Sequence, residues 1–200
     1  MTNLFPMFLK LEGRPCLVVG AGTVAEGKIG SLLLAGATVR VVAPQADVAV
    51  QEWARTGVMR WESREFCLLD LDGVFLVIAA TSSNEVNGSV FREAQRRNVL
   101  CNVVDDPEHC DFYYPAVVRR GQLQIAISTA GESPALAQKL RRELESQYGP
   151  EYEGWVEQLG KRRRELFARD INPEERHRQL HELASQRPVA AELISKGEPS

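Results

Sequence analysis

The strongest constraint on this chain lies in residues 14–25, Arg-Pro-Cys-Leu-Val-Val-Gly-Ala-Gly-Thr-Val-Ala. A short apolar run meets the turn Gly20-Ala-Gly-Thr-Val-Ala25, of the form G-x-G-x-x-A, and a helical pattern follows. A strand, a glycine turn and a helix in this order leave bare backbone N–H groups at a helix N-terminus. That arrangement receives the pyrophosphate of a dinucleotide. Gly20 makes the tight turn, Gly22 lets the phosphates approach the backbone, and the small Ala25 lets helix and strand pack closely. Glycine pairs alone are common in loops, so the reading rests on the strand before the turn and the helix after it.

The rest of the first half repeats the alternation. A helix is expected over residues 23–35, with Ile29, Leu32 and Leu33 inward and Gly36 ending it. Strands are expected over 38–43, 59–62, 74–79 and 99–104, with helices over 46–56 and from a cap at Ser83 or Asn84 to Arg97. Continuous apolar strands separated by helices predict an α/β fold with a Rossmann-like doubly wound parallel sheet. The pattern then changes. Residues 114–118 and 122–128, joined by Arg119-Arg120-Gly121, read as an antiparallel hairpin. Ser133-Pro134 opens a helix whose stripe is Leu136, Leu140, Leu144 and Tyr148, and Gly149-Pro150 breaks it. From there to about residue 194 the chain is polar and helical in pattern, with Trp155, Leu159, Phe167, Leu180 and Leu183 as its apolar members. Residues 197–200 are expected to fray. The expected organisation is a dinucleotide-binding domain over 1–110, a small α+β region over 111–149 and a C-terminal helical domain over 150–200.

Charge and cysteine content narrow the function classes. With 24 Lys and Arg against 27 Asp and Glu, the net charge of −3 carries no nucleic-acid or membrane-surface signal. No apolar run approaches the ~20 residues needed to span a bilayer. The N-terminus lacks the basic segment and cleavage site of a secretory signal, so a cytoplasmic location is expected. Cys16, Cys67, Cys101 and Cys110 form no C-x-x-C pair, so neither a zinc knuckle nor a thioredoxin-like site is expected. Cys16 and Cys101 read as buried small hydrophobes. His109-Cys110 reads as a loop, His177 and His181 read as exposed, and no metal site is expected.

Three segments carry candidate chemistry. Asn102-Val-Val-Asp-Asp-Pro107 closes a parallel strand, and ligands of open α/β sheets bind beyond the carboxyl ends of the strands. Asp105 and Asp106 therefore stand where a proton acceptor is useful, although a helix cap or solvated acid fits the same position. Thr81 and Ser82 follow the strand at 74–79 and either line the cofactor cleft or only cap the next helix. Ser128-Thr-Ala-Gly-Glu-Ser133 joins a strand to a helix N-terminus and suits an anion, or is a capped turn. The Lys161-Arg-Arg-Arg164 run is either a solvated face or a clamp for a polycarboxylate.

Taken in order, Gly20-Ala-Gly-Thr-Val-Ala-Glu-Gly-Lys28, Ala79-Ala-Thr81, Asn102-Val-Val-Asp-Asp-Pro107, Asp111-Phe-Tyr-Tyr-Pro-Ala116 and Ile125-Ala-Ile-Ser-Thr-Ala-Gly-Glu-Ser-Pro134 resemble the siroheme-synthase dehydrogenases over about residues 2–150. The resemblance implies NAD-dependent oxidation of precorrin-2, a tetrapyrrole carrying eight carboxylates, to sirohydrochlorin. It also implies a homodimer interlocked through residues 111–149. On it, Asp105 is the general base or the group that positions the substrate. Thr23, Val24, Pro44 and Gln45 are cofactor contacts, with Gly20, Gly22, Ala43, Thr81 and Ser82 beside them. The substrate contacts expected are Asn102, Arg119, Thr129, Ser133 and Lys139, with Arg120, Arg141 and the Lys161 run as further cationic candidates. Thr129 stands where some members carry a phosphorylated serine. Two departures are visible. Gly27 replaces the family's usual Arg before Lys28, and Val42-Ala-Pro-Gln45 lacks the acid that reads a ribose 2′-hydroxyl. No Arg is there to take a 2′-phosphate either, so NAD is expected over NADP. Two alternatives stand beside this reading: an enzyme that also inserts Fe²⁺ into sirohydrochlorin, and a non-catalytic nicotinamide-sensing module.

Overall fold

Five parallel strands organise the first part of the chain: β1 (Pro15–Val19), β2 (Thr38–Val42), β3 (Arg60–Glu62), β4 (Leu76–Ala79) and β5 (Leu100–Val103). In the computed structural model, which describes residues 4–186 and 188, they lie in the order β3-β2-β1-β4-β5. Every neighbouring pair is parallel. The connections include α1 (Thr23–Leu34), α2 (Val48–Arg55) and α3 (Asn84–Arg97). The chain divides into two units, one ending at Tyr113 and the other beginning at Tyr114.

Successive side chains of a strand point to opposite faces, so each apolar run feeds two cores. Cys16, Val18, Val39, Val41, Leu76 and Ile78 pack with Ala25, Ile29 and Leu32 of α1 and Val50 of α2. Leu17, Val19, Val77, Ala79, Cys101 and Val103 pack with Val90 and Ala94 of α3. Helices thus cover both faces, as a doubly wound sheet requires. A fully buried aliphatic side chain contributes about 1.5–3 kcal/mol. Gly27 and Gly30 in α1 cost only about 1 kcal/mol each relative to alanine. Burial of Ile29 and Leu32 therefore decides the helix against its own propensity. The strand order turns back between β1 and β4, and the crevice beyond their carboxyl ends is where this class of sheet binds ligands.

An ion-pair cluster pins the connection between β3 and β4. Asp70, only 4% exposed, lies in a single 3₁₀ turn (Leu68–Leu71). It accepts hydrogen bonds from Arg64 (2.8 and 2.5 Å), Arg40 (2.9 Å) and the Cys67 N–H (2.9 Å). The hydrogen bonds from Arg64 hold its carboxyl well below the usual carboxylate range, against the opposing effect of burial.

The second unit holds β6 (Ala116–Arg120) and β7 (Leu123–Ile127), an antiparallel pair, followed by α4 (Pro134–Gln147), α5 (Glu151–Phe167) and α6 (Pro173–Ser185). Arg119 and Arg120 belong to the ladder rather than to the turn, which is Gly121-Gln122. Residues 114 and 115 fall outside the strand, and Pro115 has no N–H to give to a ladder. Arg120 ties β6 to the end of α4, donating to Tyr148 O (2.8 Å) and Glu145 O (3.1 Å). The polar stretch after Pro150 forms two helices, α5 and α6. Asn172 accepts from the Glu174 N–H (2.8 Å) and Pro173 starts α6. The expected inward stripe of α4 is also shifted: Ala137 is buried, whereas Leu136 is 46% exposed. The helical pattern expected over 189–194 and the fraying over 197–200 lie outside the described residues. No described helix is long and apolar enough to cross a membrane.

A carboxyl group depressed in the folded state stabilises fully above its unfolded pKa, near ~3.9, and that stabilisation is lost as pH falls through the folded value. Asp70→Asn should therefore cost about 2–3 kcal/mol near pH 7, below the 3–5 of a fully buried pair because the arginines stay partly hydrated. It should also flatten the acid limb of the stability curve below about pH 4. Urea denaturation across that range measures both effects.

Candidate active site

The two glycines of the first turn have different work. Gly20 adopts φ +105°, and a Cβ there would stand 2.3 Å from the Ala80 carbonyl oxygen. Its N–H donates to Val42 O (3.0 Å), and the Ala80 N–H donates to Val19 O (2.8 Å). Gly20 therefore lets the ends of β1, β2 and β4 close on one another. Gly22 has an ordinary φ of −85° and nothing within 4 Å of a Cβ. It is the N-cap of α1, and no side chain caps that helix. The first-turn N–H groups, at the positive end of the helix dipole, face the space a side chain at Gly22 would fill. That geometry fits the pyrophosphate of a dinucleotide.

The flanking strand ends line up beside the turn. Ala43 is buried, while Pro44 and Gln45 are exposed. The segment after them comes back to the turn, since the Asp47 N–H donates to Ala21 O (2.9 Å) and Thr23 Oγ1 donates to Asp47 Oδ2 (3.0 Å). Val24 is exposed in the first turn of α1. Beyond β4, Ser82 is exposed and Thr81 is held by Asn87. The Thr81 hydroxyl donates to Asn87 Oδ1 (2.7 Å), and Asn87 Nδ2 donates to Thr81 O (3.1 Å). Asn87, 6% exposed, was not among the expected residues. Its signal was a polar residue on the face that buries Val90 and Ala94. The expected cap is Ser83, which accepts from the Val86 N–H (3.3 Å).

After β5 the chain folds back on itself. Asp105 is in the left-handed region at φ +60°, and a short 3₁₀ turn (Pro107–His109) follows. Cys110 then bridges back, antiparallel, to Asn102. Asp111 completes the return by accepting from the Cys101 N–H (2.9 Å) and donating its own N–H to Cys101 O (2.8 Å). The loop separates the two acids. Asp106 Oδ2 lies 2.6 Å from His109 Nδ1, and the His109 ring meets Phe91 edge-on at 4.5 Å. Asp105 is exposed at the tip. Asn102, expected against substrate, is instead 6% exposed and gives its Nδ2 to Phe112 O (2.8 Å) and Cys110 Sγ (3.2 Å), so it ties the return together.

Lys28 of α1 belongs to this neighbourhood and was noted in sequence only as a family landmark. Burial draws its ammonium pKa down, opposed by attraction to Asp105 and Cys110. Burial pushes the Cys16 thiol up to about 11 and Cys101 up to about 12, as expected of inert core residues. Among the described residues, no group of three or more His, Cys, Asp or Glu is placed to hold a metal ion.

The remaining expected residues lie in the second unit. Thr129 Oγ1 accepts from the Ser133 N–H (3.1 Å), and Ser133 Oγ accepts from the Leu136 N–H (3.2 Å), leaving each hydroxyl hydrogen to donate elsewhere. Between them, Ala130 (φ +52°) and Gly131 (φ +88°) are both left-handed. Arg119 is exposed, and Lys139 is exposed and 3.7 Å from Glu143. Arg141 pairs with Glu145, and Arg120 is occupied at the end of α4. In the basic run, Arg162 pairs with Glu165 (3.0 Å) and Arg163 lies over the Phe167 ring.

Sheet order, uncapped helix and open glycine define an α/β dinucleotide-binding protein. Comparison with known proteins narrows this. A family model described as putative NAD(P)-binding matches residues 7–116, and one described as sirohaem biosynthesis protein central matches residues 120–147. The siroheme synthase of Methylococcus capsulatus is 40% identical over 195 residues, 98% of this chain and 41% of that protein. Siroheme synthase 1 of Serratia proteamaculans is 43% identical over 144 residues, 72% of this chain and 30% of that protein. The structure of SirC, precorrin-2 dehydrogenase, superposes with a TM-score of 0.79 at 30% identity, covering 92% of this chain and 90% of that one. The chain belongs to the NAD(P)-binding family of siroheme biosynthesis. It spans 41% or less of these two siroheme synthases.

Gly22→Val should leave stability within about 1 kcal/mol, a typical capping effect, while weakening dinucleotide binding by at least about tenfold. Gly20→Ala should instead destabilise by about 2–4 kcal/mol, because it adds backbone strain and a steric clash. Thermal unfolding beside equilibrium titration with NAD⁺ separates the two.

Proposed function

We propose that the protein oxidises precorrin-2 to sirohydrochlorin, with NAD⁺ held at the α1 N-terminus and Asp105 as general base or substrate positioner. One observation carries the assignment of Asp105. It is the exposed acid at the tip of the β5 return, held in a left-handed conformation, at the same end of the sheet as the glycine turn. A non-glycine residue in the left-handed region at a strand tip is a position worth a functional reading. Asp106, the runner-up in sequence, is engaged with His109.

The residues proposed to hold the cofactor are Gly20, Gly22, Thr23 and Val24 at the pyrophosphate, Ala43, Pro44 and Gln45 beyond β2, and Thr81 and Ser82 beyond β4. Bound there, NAD⁺ supplies the hydride acceptor. The substrate must also lose a proton, and we assign its acceptance to the Asp105 carboxylate. Attraction to Asp105 offsets part of the burial that draws down the pKa of the half-buried Lys28. For the substrate carboxylates we propose Arg119 and Lys139 with the Thr129 and Ser133 hydroxyls, and Asn102 as the residue that shapes the loop beneath. The relatives named siroheme synthase keep iron insertion as a second reading. Its distinguishing measurement is siroheme absorbance from sirohydrochlorin and Fe²⁺ without NAD⁺. We also propose that the second unit is completed by another copy of the chain. Among its described residues, the buried apolar side chains are Val118, Ala137 and Leu166, a thin core for a two-stranded sheet.

Asp105→Asn keeps a residue tolerant of the left-handed region, so the fold should hold. The variant should lose at least about 100-fold of its NADH production from precorrin-2 under anaerobic conditions, at the lower end of general-base contributions. Its NAD⁺ affinity should stay within about twofold of the parent. Full turnover by the variant would remove Asp105 from the reaction.

A further inference from the structure

The end of β2 lacks an acid to read the ribose, and it also lacks an arginine to welcome a phosphate: Val42-Ala-Pro-Gln45 occupies the position. The structure supplies a carboxylate from the next segment. Asp47 stands at the N-cap of α2, where an aspartate ordinarily accepts from the first N–H groups of its helix, yet it makes no such bond. Its carboxylate turns instead to the glycine cradle, where Thr23 Oγ1 donates to Oδ2 at 3.0 Å. Its N–H donates to Ala21 O at 2.9 Å, which brings the segment down onto the centre of the Gly20-Ala-Gly22 turn. Asp47 is half-exposed, so the carboxylate is both held and reachable.

From this geometry we propose that Asp47 is the residue that sets dinucleotide choice, accepting a hydroxyl of the adenosine ribose and repelling a 2′-phosphate. The proposal deepens the cofactor reading of the glycine turn and rests on it. A carboxylate has lone pairs beyond the one that Thr23 engages, so it can take a ribose hydroxyl as a second donor. The same charge beside a 2′-phosphate is a like-charge contact, which discriminates by penalising the wrong ligand rather than by improving the right one. Thr23 is the positioning residue, since its hydroxyl draws the carboxylate away from the α2 N–H groups.

Equilibrium titration of the full chain with NAD⁺ and with NADP⁺ tests this without any turnover. The unaltered protein should prefer NAD⁺ by at least about tenfold. Asp47→Asn keeps the shape and removes the charge, and should erase most of that preference, chiefly through a gain in NADP⁺ affinity. Asp47→Ala should do the same with a larger loss of NAD⁺ affinity, because it also removes the acceptor. The NADP⁺ gain should shrink as salt is raised, since exposed charges are screened. A preference unchanged within about twofold in either folded variant would overturn the proposal, as would equal affinity of the unaltered protein for both ligands. Binding of neither ligand by the unaltered protein would overturn the cofactor reading itself, and this assignment with it.

Discussion

The site depends on one close backbone approach. At Gly20 the ends of β1, β2 and β4 are drawn together, with a carbonyl oxygen 2.3 Å from the place a side chain would begin. Only a residue without a Cβ, at φ +105°, permits the hydrogen bonds from Gly20 to Val42 and from Ala80 to Val19. Those contacts bring α1 up behind the crevice with its N–H groups outward. They also leave Gly22 with nothing within 4 Å of a Cβ, open for the dinucleotide proposed there.

Much of this architecture was legible in the sequence because burial on both faces leaves uninterrupted apolar runs. Residues 16–19 and 76–79 could hardly be anything but inner strands, and the glycine turn between β1 and α1 named its own function class. The capping serine and proline at 133–134 were equally plain. The same signal at Asn172-Pro173 marks the break between α5 and α6, but a polar stretch with sparse apolar residues masks a break that needs no hydrophobic interruption. The hairpin was displaced for a different reason. Arg119 and Arg120 read as turn residues by polarity, whereas Arg120 is fixed by carbonyls at the end of α4, a tertiary contact that no local pattern carries.

The site was less legible than the fold. Position along the strand was enough to find Asp105 and Asp106 but could not rank them, because the ranking comes from His109 three residues on and from a backbone reversal. Asn102 looked like a ligand-facing amide, yet its side chain holds Cys110 and Phe112. Lys28, Asn87 and Asp47, which the structure brings beside the expected residues, were not singled out in the sequence. Lys28 and Asp47 meet residues far away in sequence, Asp105 and Thr23, while Asn87 holds Thr81 six residues before it; each sits on a helix or helix start where a bland surface or cap role was sufficient explanation.

The return after β5 has a consequence of its own. A terminal strand of an open sheet exposes a row of unpaired amides and carbonyls, a template onto which a foreign strand can add. Here the chain blunts that border itself: Asp111 takes up the N–H and the carbonyl of Cys101, and Cys110 lies against Asn102. One short loop thus carries the acid proposed as the base at its tip and a stopper against strand addition at its base. Substitutions at Asp111 would be felt first as clumping of the protein rather than as altered chemistry.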